Sequence, residues 1–194
     1  FTYNSGNPVP FSAVKLRESL INKIHTLDPE AKDPALRQMV VIGHSQGGLL
    51  TKLTATDTGE KLWQAVFQTN RLDALSTEQR ALVQRYMYFE ALPFVKRVVF
   101  ISTPHRGRYL AKSLACRLAR YFVSFPSRLV NLSQELGGIA EKFNLYREFR
   151  GLPTSLDSMS PKNPLLLALA DIPLASGVKP GYFTRRLTGR GNPQ

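Results

Sequence analysis

The 194 residues are enough for one domain with a buried core, and 43% apolar residues exclude a disordered chain. No apolar run approaches the roughly 20 residues a helix needs to cross a bilayer, and the single cysteine, Cys116, excludes an internal disulfide and a multi-cysteine metal site. The net charge of +12 is uneven: residues 91–134 hold eight Lys or Arg and no acid, and residues 172–194 hold four more with none, which marks a solvated basic face or a surface for an anionic partner.

The chain opens on Phe1, without the basic-then-apolar pattern of a signal peptide, so its natural start is expected to lie upstream and its compartment is left open. Residues 1–9 are turn-rich. Ser12 is the predicted N-cap of a helix carrying Ala13, Leu16, Leu20, Ile24 and Leu27 at helical spacing, and Pro29 stops it. After a polar loop, "QMVVIG" reads as a buried parallel strand and "QGGLLTKLTAT" as the helix behind it. Residues 58–94 read as mostly helical, with Ser76 and Gln79 in a capping-box pattern. A second buried strand is expected over Val98–Ile101, ended by Pro104. The stretch from Tyr109 to Phe149 reads as helical, then comes a Pro- and Ser-rich loop and a short helix, "LLLALAD". The tail from Gly177 shows neither helical nor strand period, and its shift to Gly, Arg and Pro reads as a truncated or frame-shifted end.

Helix, strand and helix in this order place Ser45 at a strand-to-helix junction. Gly43, His44, Ser45, Gln46 and Gly47 fit G-x-S-x-G, and Gly48 follows. A nucleophilic hydroxyl has to stand clear of the sheet so that a carbonyl can approach it. A sharp turn does this at the expense of a strained backbone, and glycine is needed where the turn brings main chains together. Gln46 then offers its backbone N–H to an oxyanion. A glycine-rich turn with an incidental serine is the plainer alternative. Phosphate binding is excluded: a P-loop needs Lys and Ser or Thr after its second glycine, and Gly48 precedes Leu49 and Leu50.

"VVIGHSQGG" and "ISTPHRG" together resemble the α/β-hydrolase superfamily, most closely bacterial lipase/esterase-like serine hydrolases. The resemblance implies a partial α/β-hydrolase fold, a parallel sheet with flanking helices and a helical cap insertion. It implies a Ser-His-acid mechanism on a carboxylic ester or lipid through an acyl-enzyme on Ser45, with no cofactor or metal. It places Thr103, Pro104 and His105 at the end of the neighbouring strand, lining the pocket. The organisation expected is a core over 1–108 with the elbow, a cap-like region over 109–170, and an irregular basic tail over 171–194.

The fold's order is Ser, acid, His. His25 precedes the nucleophile, and the side chain of His44 should point away from that of Ser45. His105 is therefore the one histidine placed to be the base, although it comes early; its other reading is a pocket or strand-end residue. The acid and base are expected to be missing from this chain, as are the strand and loop that supply the second oxyanion donor. Asp157 and Asp171 cannot complete a triad with no histidine after them. "SAVK" at 12–15 matches Ser-x-x-Lys without companion motifs and is read as chance. No His, Cys, Asp or Glu cluster has metal-ligand spacing.

"YLAKSLACRLARYF", 109–122, sets Leu110, Leu114, Leu118 and Phe122 on one stripe with Lys112, Arg117 and Arg120 off it. Packing on the core is its plainer reading. Contact with an anionic membrane surface is the other. The alternative function is accordingly a non-catalytic derivative or fragment that binds lipid or a protein partner through a basic helical cap. Nucleic acid is not expected, since the basic residues are not interleaved with stacking aromatics.

Overall fold

Two prolines decide where the first helix begins. Pro8 holds the extended backbone of the cap residue (φ −55°, ψ 143°), and Pro10 falls in the first turn, where a missing N–H breaks no intrahelical bond. In the computed structural model, which describes residues 1–4, 7–67, 75–106 and 163–183, α1 therefore spans Val9–Leu27. It starts before Ser12, the expected cap; Ser12 is buried inside it and its N–H donates to the Pro8 carbonyl at 3.1 Å. Beyond the helix the Asp28 carboxylate accepts from the N–H groups of Lys32 and Asp33, each at 2.8 Å, and closes the turn at Pro29.

A short 3-10 turn, Ala35–Arg37, leads into β1, Met39–His44, and α2 follows at Gln46–Lys52. The latter is shorter than its sequence pattern. Thr54 Oγ1 turns back onto the Thr51 carbonyl at 2.7 Å, and the Arg17 guanidinium donates to the Leu53 carbonyl at 2.9 Å, so the last carbonyls are satisfied without another turn. Then come α3, Lys61–Phe67, and α4, Thr77–Met87. The capping box forms as the spacing predicts: Gln79 N–H donates to Ser76 Oγ and Ser76 N–H to Gln79 Oε1, both at 3.2 Å. β2 is Val95–Ile101, and α5, Pro164–Asp171, is capped by Asn163, whose Oδ1 accepts from Leu166 N–H at 3.1 Å.

A third strand, β3, runs over Lys179–Phe183 and pairs parallel with β2. The expectation of a tail without regular structure gives way over these five residues. Pro180, Gly181 and exposed positions erase the strand pattern, and a strand paired, among the described residues, on one side tolerates a proline. The order is β1-β2-β3, all parallel, with Val41 opposite Val98 and Gly43 opposite Phe100. The described part of the chain is thus a mixed α/β arrangement, a three-stranded parallel sheet flanked by helices.

Burial is one-sided. Val41, Val95, Val98 and Phe100 form a core with Ala55 and Leu92. On the opposite face Val40 and Ile42 are 50% and 63% exposed, so the expected strand buried on both faces is, among the described residues, buried on one. A second core joins the helices: Val9, Leu16, Leu49, Leu53 and Trp63 meet Leu166, Leu169 and Ile172. α5 therefore packs with α1, α2 and α3 in this core. The rest of the cap-like region, with its apolar stripe, and Cys116 lie outside the described residues.

Candidate active site

Ser45 leaves β1 in a conformation that L-residues seldom adopt, φ 53° and ψ −126°, which costs about 1–3 kcal/mol wherever it occurs. Its N–H donates to the Ile101 carbonyl at 2.9 Å, the last rung between β1 and β2. The chain then turns at once into α2, and Gly48 N–H donates to the Ser45 carbonyl at 3.0 Å. Ser45 Oγ makes no capping bond to the helix it precedes, and the residue is half-buried. A serine at a helix start normally caps it; this one is turned away.

Two of the three glycines are required by contact. A β-carbon on Gly43 would stand 2.5 Å from Thr51 Oγ1 and 2.6 Å from both the Gly47 carbonyl oxygen and the Gly48 α-carbon. One on Gly48 would overlap the Thr103 side chain. The third, Gly47, has room: among the described residues outside its own helix, a β-carbon there would meet the Tyr3 hydroxyl at 3.6 Å, an ordinary contact. Gln46 is the first residue of α2, so its N–H has no intrahelical acceptor. Its side chain is buried, with Nε2 unpartnered among the described residues.

β2 ends in the same way as β1. Ser102 has φ 48°, and its N–H donates to the Phe183 carbonyl at 2.8 Å. The loop behind it places Thr103 against Gly48 and seats His105 edge-on to Phe100, with ring centroids 4.7 Å apart, and against Tyr182 at 6.1 Å. His105 N–H donates to the Thr103 carbonyl at 3.0 Å. Thr103 Oγ1 and His105 Nε2 are both buried without a hydrogen-bond partner among the described residues. Burial, and then the charge of Lys52, lower the His105 pKa.

No family model, curated protein or solved structure matches this chain.

Of the sequence-predicted residues, the structure gathers Gly43, Ser45, Gln46, Gly47, Gly48 and Thr103 at one strand-to-helix turn, with Pro104 and His105 on the adjoining loop. It sets His44 apart, exposed at the end of β1, and leaves His25 exposed in the last turn of α1. Two residues at this site carry no motif. Lys52 is buried to 7% exposure and donates from Nζ to the Ala170 carbonyl at 3.1 Å, at the negative end of α5. Burial lowers its pKa, against the opposing charge of Asp171. Tyr3 packs its ring against the helical core, with its hydroxyl facing Gly47. Among the described residues no group of three His, Cys, Asp or Glu could hold a metal ion, and no helix is long and apolar enough to cross a membrane.

Proposed function

We propose that the chain carries the nucleophile of a serine hydrolase of the α/β-hydrolase type, acting on carboxylic esters or lipid-like esters. Supporting the proposal most directly is the Ser45 backbone, held at φ 53° and ψ −126° between a parallel strand and a helix, where a glycine would relieve the strain and serine stands instead. A merely structural turn gains nothing from a strained serine whose hydroxyl caps no helix. In this reading Ser45 Oγ attacks the ester carbonyl, its proton passes to a general base, and the carbonyl oxygen gains the negative charge that the Gln46 N–H is placed to receive. The alcohol leaves and water releases the acid.

The elbow supplies the nucleophile and one oxyanion donor, while the base belongs to a separate element. His105 is the sequence candidate. Its Nε2 lies buried and unpartnered, and its ring is packed on Phe100 and Tyr182. This packing favours a second reading, a derivative that keeps the pocket without turnover. A fluorophosphonate probe with intact-mass readout tests the first: the protein gains one phosphonyl group and Ser45→Ala gains none. Equal labelling of the two removes Ser45 as nucleophile. Labelling at Ser45 with no ester turnover is the outcome that selects the second reading.

A further inference from the structure

We infer that the hydroxyl of Tyr3 is the second oxyanion donor, acting opposite the Gln46 N–H; this rests on Ser45 being the nucleophile as proposed above. The geometry begins with Gly47, the residue after the oxyanion amide. Along a helix every Cα–Cβ bond tilts toward the N-terminus. A β-carbon on Gly47 would therefore tilt toward the open end of α2, where Gln46 presents its N–H, and among the described residues outside that helix the heavy atom it would meet within 4 Å is the Tyr3 hydroxyl oxygen, at 3.6 Å. The phenol thus stands beside the N-terminal turn of α2, whose first N–H belongs to Gln46.

Tyr3 is held there firmly enough to serve. Its ring is half-buried against the helical core and stacks on Phe1 with centroids 6.0 Å apart and planes 16° from parallel. Asn7 N–H donates to the Asn4 carbonyl at 3.0 Å, and α1 follows, whose residues Val9, Ala13 and Leu16 share the core with Leu49 and Leu53 of the α2 segment. One body of packed side chains thus fixes both the phenol and the elbow. Burial raises the Tyr3 pKa, so the hydroxyl keeps its proton at neutral pH and remains a donor. A phenol O–H aimed at a developing alkoxide forms a charge-assisted bond, shorter and stronger than one to the neutral ester carbonyl. It acts where charge appears in the transition state.

The test compares phosphonylation rates, since the probe's P–O oxygen occupies the place of the oxyanion while Ser45 Oγ displaces fluoride. Tyr3→Phe keeps the ring and its packing and is expected to label about 100-fold more slowly, the size of effect seen when one oxyanion donor is lost. Equal rates in the two proteins overturn the assignment of Tyr3 and leave Ser45 standing. A wild-type protein that fails to label, or one that labels as fast as Ser45→Ala, overturns the parent reading and Tyr3 with it. Thermal melting of Tyr3→Phe separates loss of a donor from loss of fold. If that variant unfolds, 3-fluorotyrosine at position 3, which keeps the ring but loses its phenol proton at lower pH, is expected to show a labelling rate that falls at lower pH than the wild type's, and identical pH profiles overturn the proposal.

Discussion

The α-carbon of Gly48 lies so close to the Thr103 side chain that no methyl group fits between them. This contact joins the first turn of α2 to the loop after the neighbouring strand, and both partners are rigid: one is main chain, the other a β-branched side chain with little rotamer freedom. Gly48→Ala is expected to destabilise the protein by about 1–3 kcal/mol, the usual result of overpacking. Urea unfolding measures it. Adding Thr103→Gly, which clears the space, should return part of the loss, and strict additivity of the two changes would falsify the contact.

Strain at Ser45 makes a prediction of opposite sign. Glycine tolerates the φ of 53° that serine does not, so Ser45→Gly should be more stable than Ser45→Ala by about 1 kcal/mol, although glycine also loses more freedom on folding. Both variants should be inert to the fluorophosphonate. Denaturation midpoints in the reverse order would show that the turn is relaxed.

His105 binds its proton less tightly in the folded protein, because burial and then the Lys52 charge oppose its ionisation. The unfolded chain therefore holds more protons over that interval, and stability rises with pH through it. The contribution is complete above the ordinary imidazole pKa of about 6.5 and is lost as the pH falls from there toward the lowered value. Urea midpoints at two pH values spanning this interval should differ for the wild type. His105→Gln should flatten the difference. Lys52→Met, which removes the second cause, should reduce it.

The one-sided sheet separates two neighbours on a single strand. Val41 is 8% exposed and Ile42 63% exposed. Val41→Ala should cost on the order of 2 kcal/mol, and Ile42→Thr should stay within about 0.5 kcal/mol. A large loss at Ile42, measured by the same unfolding curves, would mean that this face is covered in solution.

Local signals proved readable where chemistry and geometry constrain the same few residues. Gly43 and Gly48 are forced by contacts within that turn and by Thr103, so there the motif and the shape coincide, and the Ser76–Gln79 box depends on a single turn of chain. The start of α1 was obscured because Ser12 resembles a cap while the prolines at 8 and 10 set the boundary. β3 was obscured because "KPGYF" has almost nothing to bury; only its backbone partners make it a strand. Tyr3 and Lys52 lie beyond any spacing rule: one reaches Gly47 and the other Ala170 across distances along the chain that only the folded core closes.

Ser45 and Ser102 leave their strands with the same handedness, and each hangs its N–H on the terminal carbonyl of the next strand, Ile101 and Phe183 respectively. The position of the candidate nucleophile is therefore referred sideways, strand by strand, to a tip of the sheet that contributes no group to the chemistry. An error in placing Phe183 is inherited by Ser102, then by Ile101, and at last by Ser45. Among the described residues β3 is the end strand of the sheet, and weak in pattern as it is, it acts as the gauge against which the elbow is levelled.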